Sequence, residues 1–127
     1  MDINLPDVKA EVEAAFARYE AALMANDVQM LQALFWNSPL TIRYGINENL
    51  HGWQEIGAFR AMRSTTGLAR RISHTVITTY GRDFATASNL FHRDTVPGKT
   101  GRQMQTWARV PEGWRIVAAH VSLIDET

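Results

Sequence analysis

The sequence predicts an α+β fold in which N-terminal helices cap one face of a curved antiparallel sheet. Three observations carry this expectation. Apolar residues recur at helical spacing early in the chain, and after Gly67 the pattern turns to stretches rich in β-branched and aromatic residues. Short turns containing Gly or Pro separate those stretches. Helices first and strands last place the helices on one sheet face. A length of 127 residues fits a single domain over 1–127, and 46% hydrophobic residues are enough for it to bury a core without a metal or disulfide staple.

The first helix opens at Pro6 and Asp7, where a carboxylate suits an N-cap or first-turn position. Val8, Val12, Ala15, Phe16, Tyr19 and Leu23 then form one apolar stripe. Asn26 and Asp27 break the helix, and Asp27 caps a short second helix through Phe35, with Met30, Leu31 and Leu34 expected inward. Pro39 forbids its continuation. LTIRYG, residues 40–45, reads as a strand, followed by a turn over Gly45 to Asn49. Gly52 precedes a third helix, WQEIGAFRAMRS, on which Ile56, Phe59, Arg60 and Arg63 share a face. RRISHTVITTY, FATASNLFHR, RQMQTWARV and WRIVAAHVSLI read as four strands of an antiparallel meander. The facing of FATASNLFHR stays open, because both of its faces carry mixed residues. The second sheet face is expected to remain partly apolar and to pair with another copy as a homodimer.

Composition narrows the function. Thirteen basic and thirteen acidic residues give zero net charge, with no basic excess to hold a phosphate backbone, so nucleic acid is not expected as a partner. The absence of cysteine excludes disulfides and thiolate chemistry. No apolar run reaches the roughly 18 residues of a membrane span. The start MDINLPDVKAEVE lacks the cationic and apolar regions of a secretory signal, so a cytoplasmic protein is expected. His51, His74, His92 and His120 lack metal-ligand spacing, and no metal or cofactor is expected. Nucleophile-elbow, zinc-hydrolase and phosphate-loop motifs are also missing.

The candidate functional residues each have two readings. Tyr19 lies on the apolar stripe, either as a core tyrosine with a satisfied OH or as a donor projecting into a cavity. Arg43 interrupts an apolar strand. It is either the outward half of an ordinary alternation or an inward cation with no obvious local carboxylate, as an anionic ligand would require. Arg60 and Arg63 either snorkel at a helix edge or join Arg43 around a ligand with two carboxylates. Gln103, Gln105 and Trp107 alternate on one sheet face, as a polar pocket wall or as a solvent face.

The order of elements, with FARYEAAL, LFWNSPLTIRYGINENLHG, TTYGRDFATAS and GRQMQTWARVPEGWRIVAAHVSLIDE, resembles the AtzH-like family of the nuclear transport factor 2-like (SnoaL-like, cystatin-like) superfamily over nearly the whole chain. The resemblance implies a cone-shaped barrel of three N-terminal helices on a curved antiparallel sheet, commonly dimeric through that sheet. It also implies a decarboxylating amidohydrolase acting on 1,3-dicarboxyurea in cyanuric acid breakdown. The family further includes proteins placed with oxalurate catabolism, so a non-catalytic binding or accessory role is the alternative. A catalytic pair is implied at Tyr19 and Arg43. Ketosteroid isomerase, a distant relative of this fold, is similar in ARY on the first helix and HG before the third, and places a pocket residue where Arg60 falls. It has a carboxylate base where Arg43 stands here, and arginine cannot serve as a base. Binding of a small anionic ureide is therefore expected in place of proton abstraction.

Overall fold

The computed structural model describes residues 1–64 and 67–126. Helix α1 spans Pro6–Ala25, α2 spans Val28–Leu34 and α3 spans Trp53–Met62. Between α2 and α3 lie two three-residue strands, β1 (Ile42–Tyr44) and β2 (Asn49–His51). The long strands follow as β3 (Arg71–Tyr80), β4 (Phe84–His92), β5 (Lys99–Val110) and β6 (Gly113–Asp125).

The helical punctuation follows from local chemistry. Pro6 occupies the first helical turn and Asp7 follows it in that turn, while Leu5 holds the cap position. Asn26 ends α1 in the left-handed conformation, its N–H donating to carbonyls of the last turn. The Asp27 carboxylate then accepts from the Met30 backbone N–H at 3.1 Å and starts α2. Leu31 and Leu34 point inward as expected, but Met30 is exposed, because seven residues give α2 too narrow a buried face to include it.

The sheet departs from a simple meander. It has six strands in the order β2-β1-β6-β5-β4-β3. Strands β3 to β6 do form the expected antiparallel run, but β1 pairs parallel to β6 and antiparallel to β2. The physical reason is the outer edge of β6, whose backbone groups β1 satisfies. Bulges between Ser73 and Val76 and between Thr106 and Trp107 shift the register and bend the sheet.

Alternation in β4 settles which way that strand faces. Ala85, Ala87, Asn89 and Phe91 are buried on the helix side, and Thr86, Ser88 and Leu90 face away. The core joins the α1 stripe to Leu31, Leu34, Phe35, Ile56, Trp107, Trp114 and Ile116. Indole groups fix the layers against each other. The Trp114 Nε1–H donates to Glu11 on α1 at 3.0 Å, and Trp53 and Gln32 exchange side-chain-to-carbonyl hydrogen bonds between α3 and α2 at 2.9 and 2.7 Å. No described helix is long and apolar enough to cross a membrane.

Candidate anion-binding site

Tyr19 sits nearly two turns before the end of α1, on the stripe facing the sheet, and is 3% exposed. Its ring meets Phe35 edge-on at 6.3 Å between centroids. Its hydroxyl accepts a hydrogen bond from Arg60 Nη2 at 3.4 Å. Arg60 lies on α3 one turn beyond Ile56 and is 2% exposed, with its guanidinium 5.2 Å from the Phe35 ring centroid. Its Nε and Nη1 are buried with no hydrogen-bond partner.

Arg43 also faces inward, at 6% exposure. The expectation that it lacks a nearby carboxylate is overturned. Its Nη1 donates to Glu48 Oε1 at 2.8 Å across the β1–β2 turn. The turn brings the two together because residue 45 is glycine. A Cβ there would lie 1.7 Å from Glu48 Oε1 and 2.9 Å from Arg43 Nη1. Glu48 leaves the other edge of the guanidinium available, since Arg43 Nε is buried without an acceptor.

A third buried arginine, Arg70, is absent from the residues that the sequence singled out. Arg70 and Arg71 are adjacent, and only Arg71 reaches solvent. Arg70 makes a forked ion pair with Glu20, through Nη2 to Oε1 and through Nε to Oε2 at 3.3 Å. It also donates to Gln103 Oε1 at 3.1 Å, and Gln103 Nε2 donates to Asn89 at 2.9 Å and to Glu20 at 3.3 Å. Gln103 is therefore buried, with both ends of its amide taken up in holding Arg70 and Glu20. Gln105 and Trp107 are buried beside it on β5, joined by an indole N–H donating to Gln105 Oε1 at 3.0 Å. Gln105 Nε2 has no acceptor, so it offers one more inward donor.

Two phenylalanines organise the remaining cations. Arg43 and Arg63 lie 5.5 and 5.8 Å from the Phe59 ring centroid. Arg70 and Arg93 lie 4.7 and 5.0 Å from that of Phe91. Phe91 can rest across the sheet because its β5 partner is Gly101, where a Cβ would fall within 2.3 Å of the ring.

The electrostatic result is a phenol inside a field of guanidinium charge. Burial pushes the Tyr19 pKa up, but the combined field of Arg60, Arg43 and Arg70 outweighs it and holds the phenol below its ordinary value. Burial, followed by the neighbouring cations, depresses Arg63 to about 10. Arg60 and Arg93 are also lowered, burial being the largest cause for each. The arrangement can bind a small anion, stabilise a phenolate and hand over a phenolic proton.

Two clefts in the described surface lie away from this cluster. One, of about 530 Å³, opens on the outer sheet face among His74, Ser88, Arg102, Met104, His120 and Ser122. Another of about 410 Å³ lies beside Trp53 and Glu55. Tyr19, Arg43 and Arg60 line neither of these two clefts. The chemistry of the buried cluster, and not the volume of these clefts, identifies the candidate site.

The buried Arg70–Glu20 pair yields a prediction for stability. Glu20→Ala leaves Arg70 desolvated and uncompensated, and should cost about 3–5 kcal/mol in denaturant unfolding. Glu20→Ala combined with Arg70→Met should recover much of that loss. Equal stability of wild type and Glu20→Ala would show that the pair carries no buried charge.

Comparison with known proteins follows the same outline. The AtzH-like family model matches residues 1–127. A protein of the DUF3225 family from Pectobacterium atrosepticum, described as of unknown function, superposes with a TM-score of 0.95 at 58% identity, covering 98% of this chain and 96% of that one. A cystatin-like fold protein from Burkholderia xenovorans gives a TM-score of 0.95 at 51% identity, covering 100% and 99%. A nuclear transport factor 2-like superfamily protein from Salmonella enterica gives 0.73 at 28% identity, covering 95% and 94%. The comparison with curated proteins finds no match. The chain thus belongs to the AtzH-like family, on the nuclear transport factor 2-like, cystatin-like fold.

Proposed function

We propose that the protein is a cofactor-independent decarboxylating amidohydrolase. It removes an N-carboxylate from a small dicarboxylated urea, 1,3-dicarboxyurea to allophanate, in cyanuric acid or ureide nitrogen catabolism. The observation that carries this reading is the buried Tyr19 phenol, hydrogen-bonded by Arg60 and held acidic by guanidinium charge. In this reading residues 1–127 act as one SnoaL-like domain, a cone-shaped barrel working in the cytoplasm.

An N-carboxylate loses carbon dioxide once its nitrogen gains a proton. The free edge of Arg43 and the unpartnered Nε and Nη1 of Arg60 hold the carboxylates, each charged hydrogen bond contributing roughly 1.5–3 kcal/mol. The Tyr19 hydroxyl gives its proton to nitrogen, and the C–N bond breaks with its electron pair kept by nitrogen. Carbon dioxide leaves, and water returns a proton to the phenolate. An ordinary tyrosine with a pKa of about 10 is a weak acid at neutral pH, so the lowering by arginines assists the transfer. Gln105 supplies a further donor, while Gln103 and Trp107 shape the wall of the site.

A non-catalytic small-molecule-binding or accessory protein in oxalurate or purine catabolism is the second reading. The unpartnered donors of Arg43 and Arg60 serve it equally well, since holding an anion needs no proton from Tyr19.

The two readings part in one assay of carbon dioxide release from carboxylated ureas and ureides by the purified protein. Tyr19→Phe should lower turnover by about 100-fold or more while retaining substrate binding. Arg43→Ala should lose both, with thermal denaturation confirming that each variant folds. Full activity in either variant removes this mechanism, and binding without release in the wild type leaves the accessory role.

The reading also includes a homodimer through the sheet. Val76, Phe84 and Met104, on the face away from the helices, are 57%, 56% and 53% exposed, and Ile124 extends the apolar surface. Sedimentation equilibrium should give twice the chain mass, and Phe84→Asp with Met104→Glu should give the single-chain mass. A monomeric wild type overturns the assembly.

A further inference from the structure

The two phenylalanine stacks repeat one arrangement. Each ring carries an inner arginine already neutralised by a carboxylate, Arg43 with Glu48 and Arg70 with Glu20. Each ring also carries an outer arginine, Arg63 or Arg93, that makes no ion pair among the described residues. Arg63 follows directly on α3, and Arg93 follows directly on β4.

The outer pair does not behave as ordinary surface arginine. A snorkelling arginine buries its stem and leaves its head in water. Here Arg63 Nε and Nη2 and Arg93 Nε are themselves buried and lack hydrogen-bond partners. Buried donors are nearly always paired, so donors left without acceptors point to a missing acceptor. Stacking on a phenyl ring fixes the plane of the guanidinium and leaves its edge free for a bidentate carboxylate.

Charge counting leads to the same conclusion. Arg43, Arg60, Arg63, Arg70 and Arg93 bring five guanidinium groups, and Glu20 and Glu48 bring two carboxylates. One ligand carboxylate at Arg43 and Arg60 would still leave uncompensated positive charge beside it. Like-charge crowding already lowers Arg63 to about 10, after burial.

We propose that Arg63 and Arg93 form a second carboxylate subsite, so that the site selects compact dianions with two separate carboxylates over monoanions. This rests on the anion-site reading of Tyr19, Arg43 and Arg60, and it assigns the second carboxylate of such a ligand to its own pair of arginines. Arg43 and Arg60 take one end of the ligand and Arg63 and Arg93 take the other.

Calorimetric titration with malonate and with acetate tests it without any turnover. The wild type should bind malonate at least about tenfold tighter than acetate, the gain from one added charged hydrogen-bonded contact. Arg63→Gln and Arg93→Gln should each reduce that preference to about threefold or less, malonate affinity falling more than acetate affinity, while Arg63→Lys should keep part of it. Thermal melts should show both Gln variants folded and no less stable, since each loses an unpaired buried cation. A malonate preference that survives in both Gln variants overturns the proposal, as does a wild type that does not discriminate. Discrimination without carbon dioxide release overturns the reaction and leaves this subsite standing. Carbon dioxide release without discrimination does the reverse.

Discussion

Positive charge that the protein itself does not neutralise surrounds one buried phenol, and the rest of the site is arranged around that imbalance. Burial alone would make Tyr19 a weaker acid. The nearness of Arg60, Arg43 and Arg70 reverses the sign, so field outweighs desolvation. Such a concentration of cations costs stability in the absence of a counter-anion. Residues that strain the folded state in this way are expected at sites built for a ligand.

The fold supports the imbalance through a few close approaches. Gly45 lets Glu48 reach Arg43, and Gly101 makes room for Phe91, whose ring both Arg70 and Arg93 approach. Gln103 and Asn89 hold the Glu20–Arg70 pair against the inner sheet face. Glu20 and Glu48 neutralise one arginine each but leave Arg60, Arg63 and Arg93 without a carboxylate among the described residues. The site is thus built from helix α1, helix α3, the β1–β2 turn and the inner faces of β4 and β5. No single segment contains it.

That dispersal explains what the chain revealed in advance. The stripe through Tyr19, the strand around Arg43 and the four long strands were legible because burial imposes a period on each. Strand β2 left no signal, since three residues carry too little pattern, and the expected turn over Gly45 to Asn49 takes in only its first residue. The parallel β1–β6 pairing was invisible because backbone pairing leaves no side-chain signature. Glu48 was missed as the partner of Arg43 because it lies in a turn, where periodicity says nothing of direction. Arg70 had a weak signal. In an adjacent Arg70–Arg71 pair entering a strand, alternation turns one of the two inward. Glu20 and Arg93 had none, because their roles exist only once α1 and β4 are brought together by the fold.

The most direct test follows the ionisation of Tyr19 itself, by carbon-13 magnetic resonance of protein labelled at the tyrosine ring carbon bonded to oxygen. The signal absent from Tyr19→Phe identifies the residue among the three tyrosines of the chain. Guanidinium control requires that signal to move to its phenolate position below the ordinary tyrosine value of about 10, and to move later when Arg60 is replaced by Gln. Titration at or above the ordinary value, unmoved by Arg60→Gln, would mean that burial governs the phenol, and the account of the site would fall.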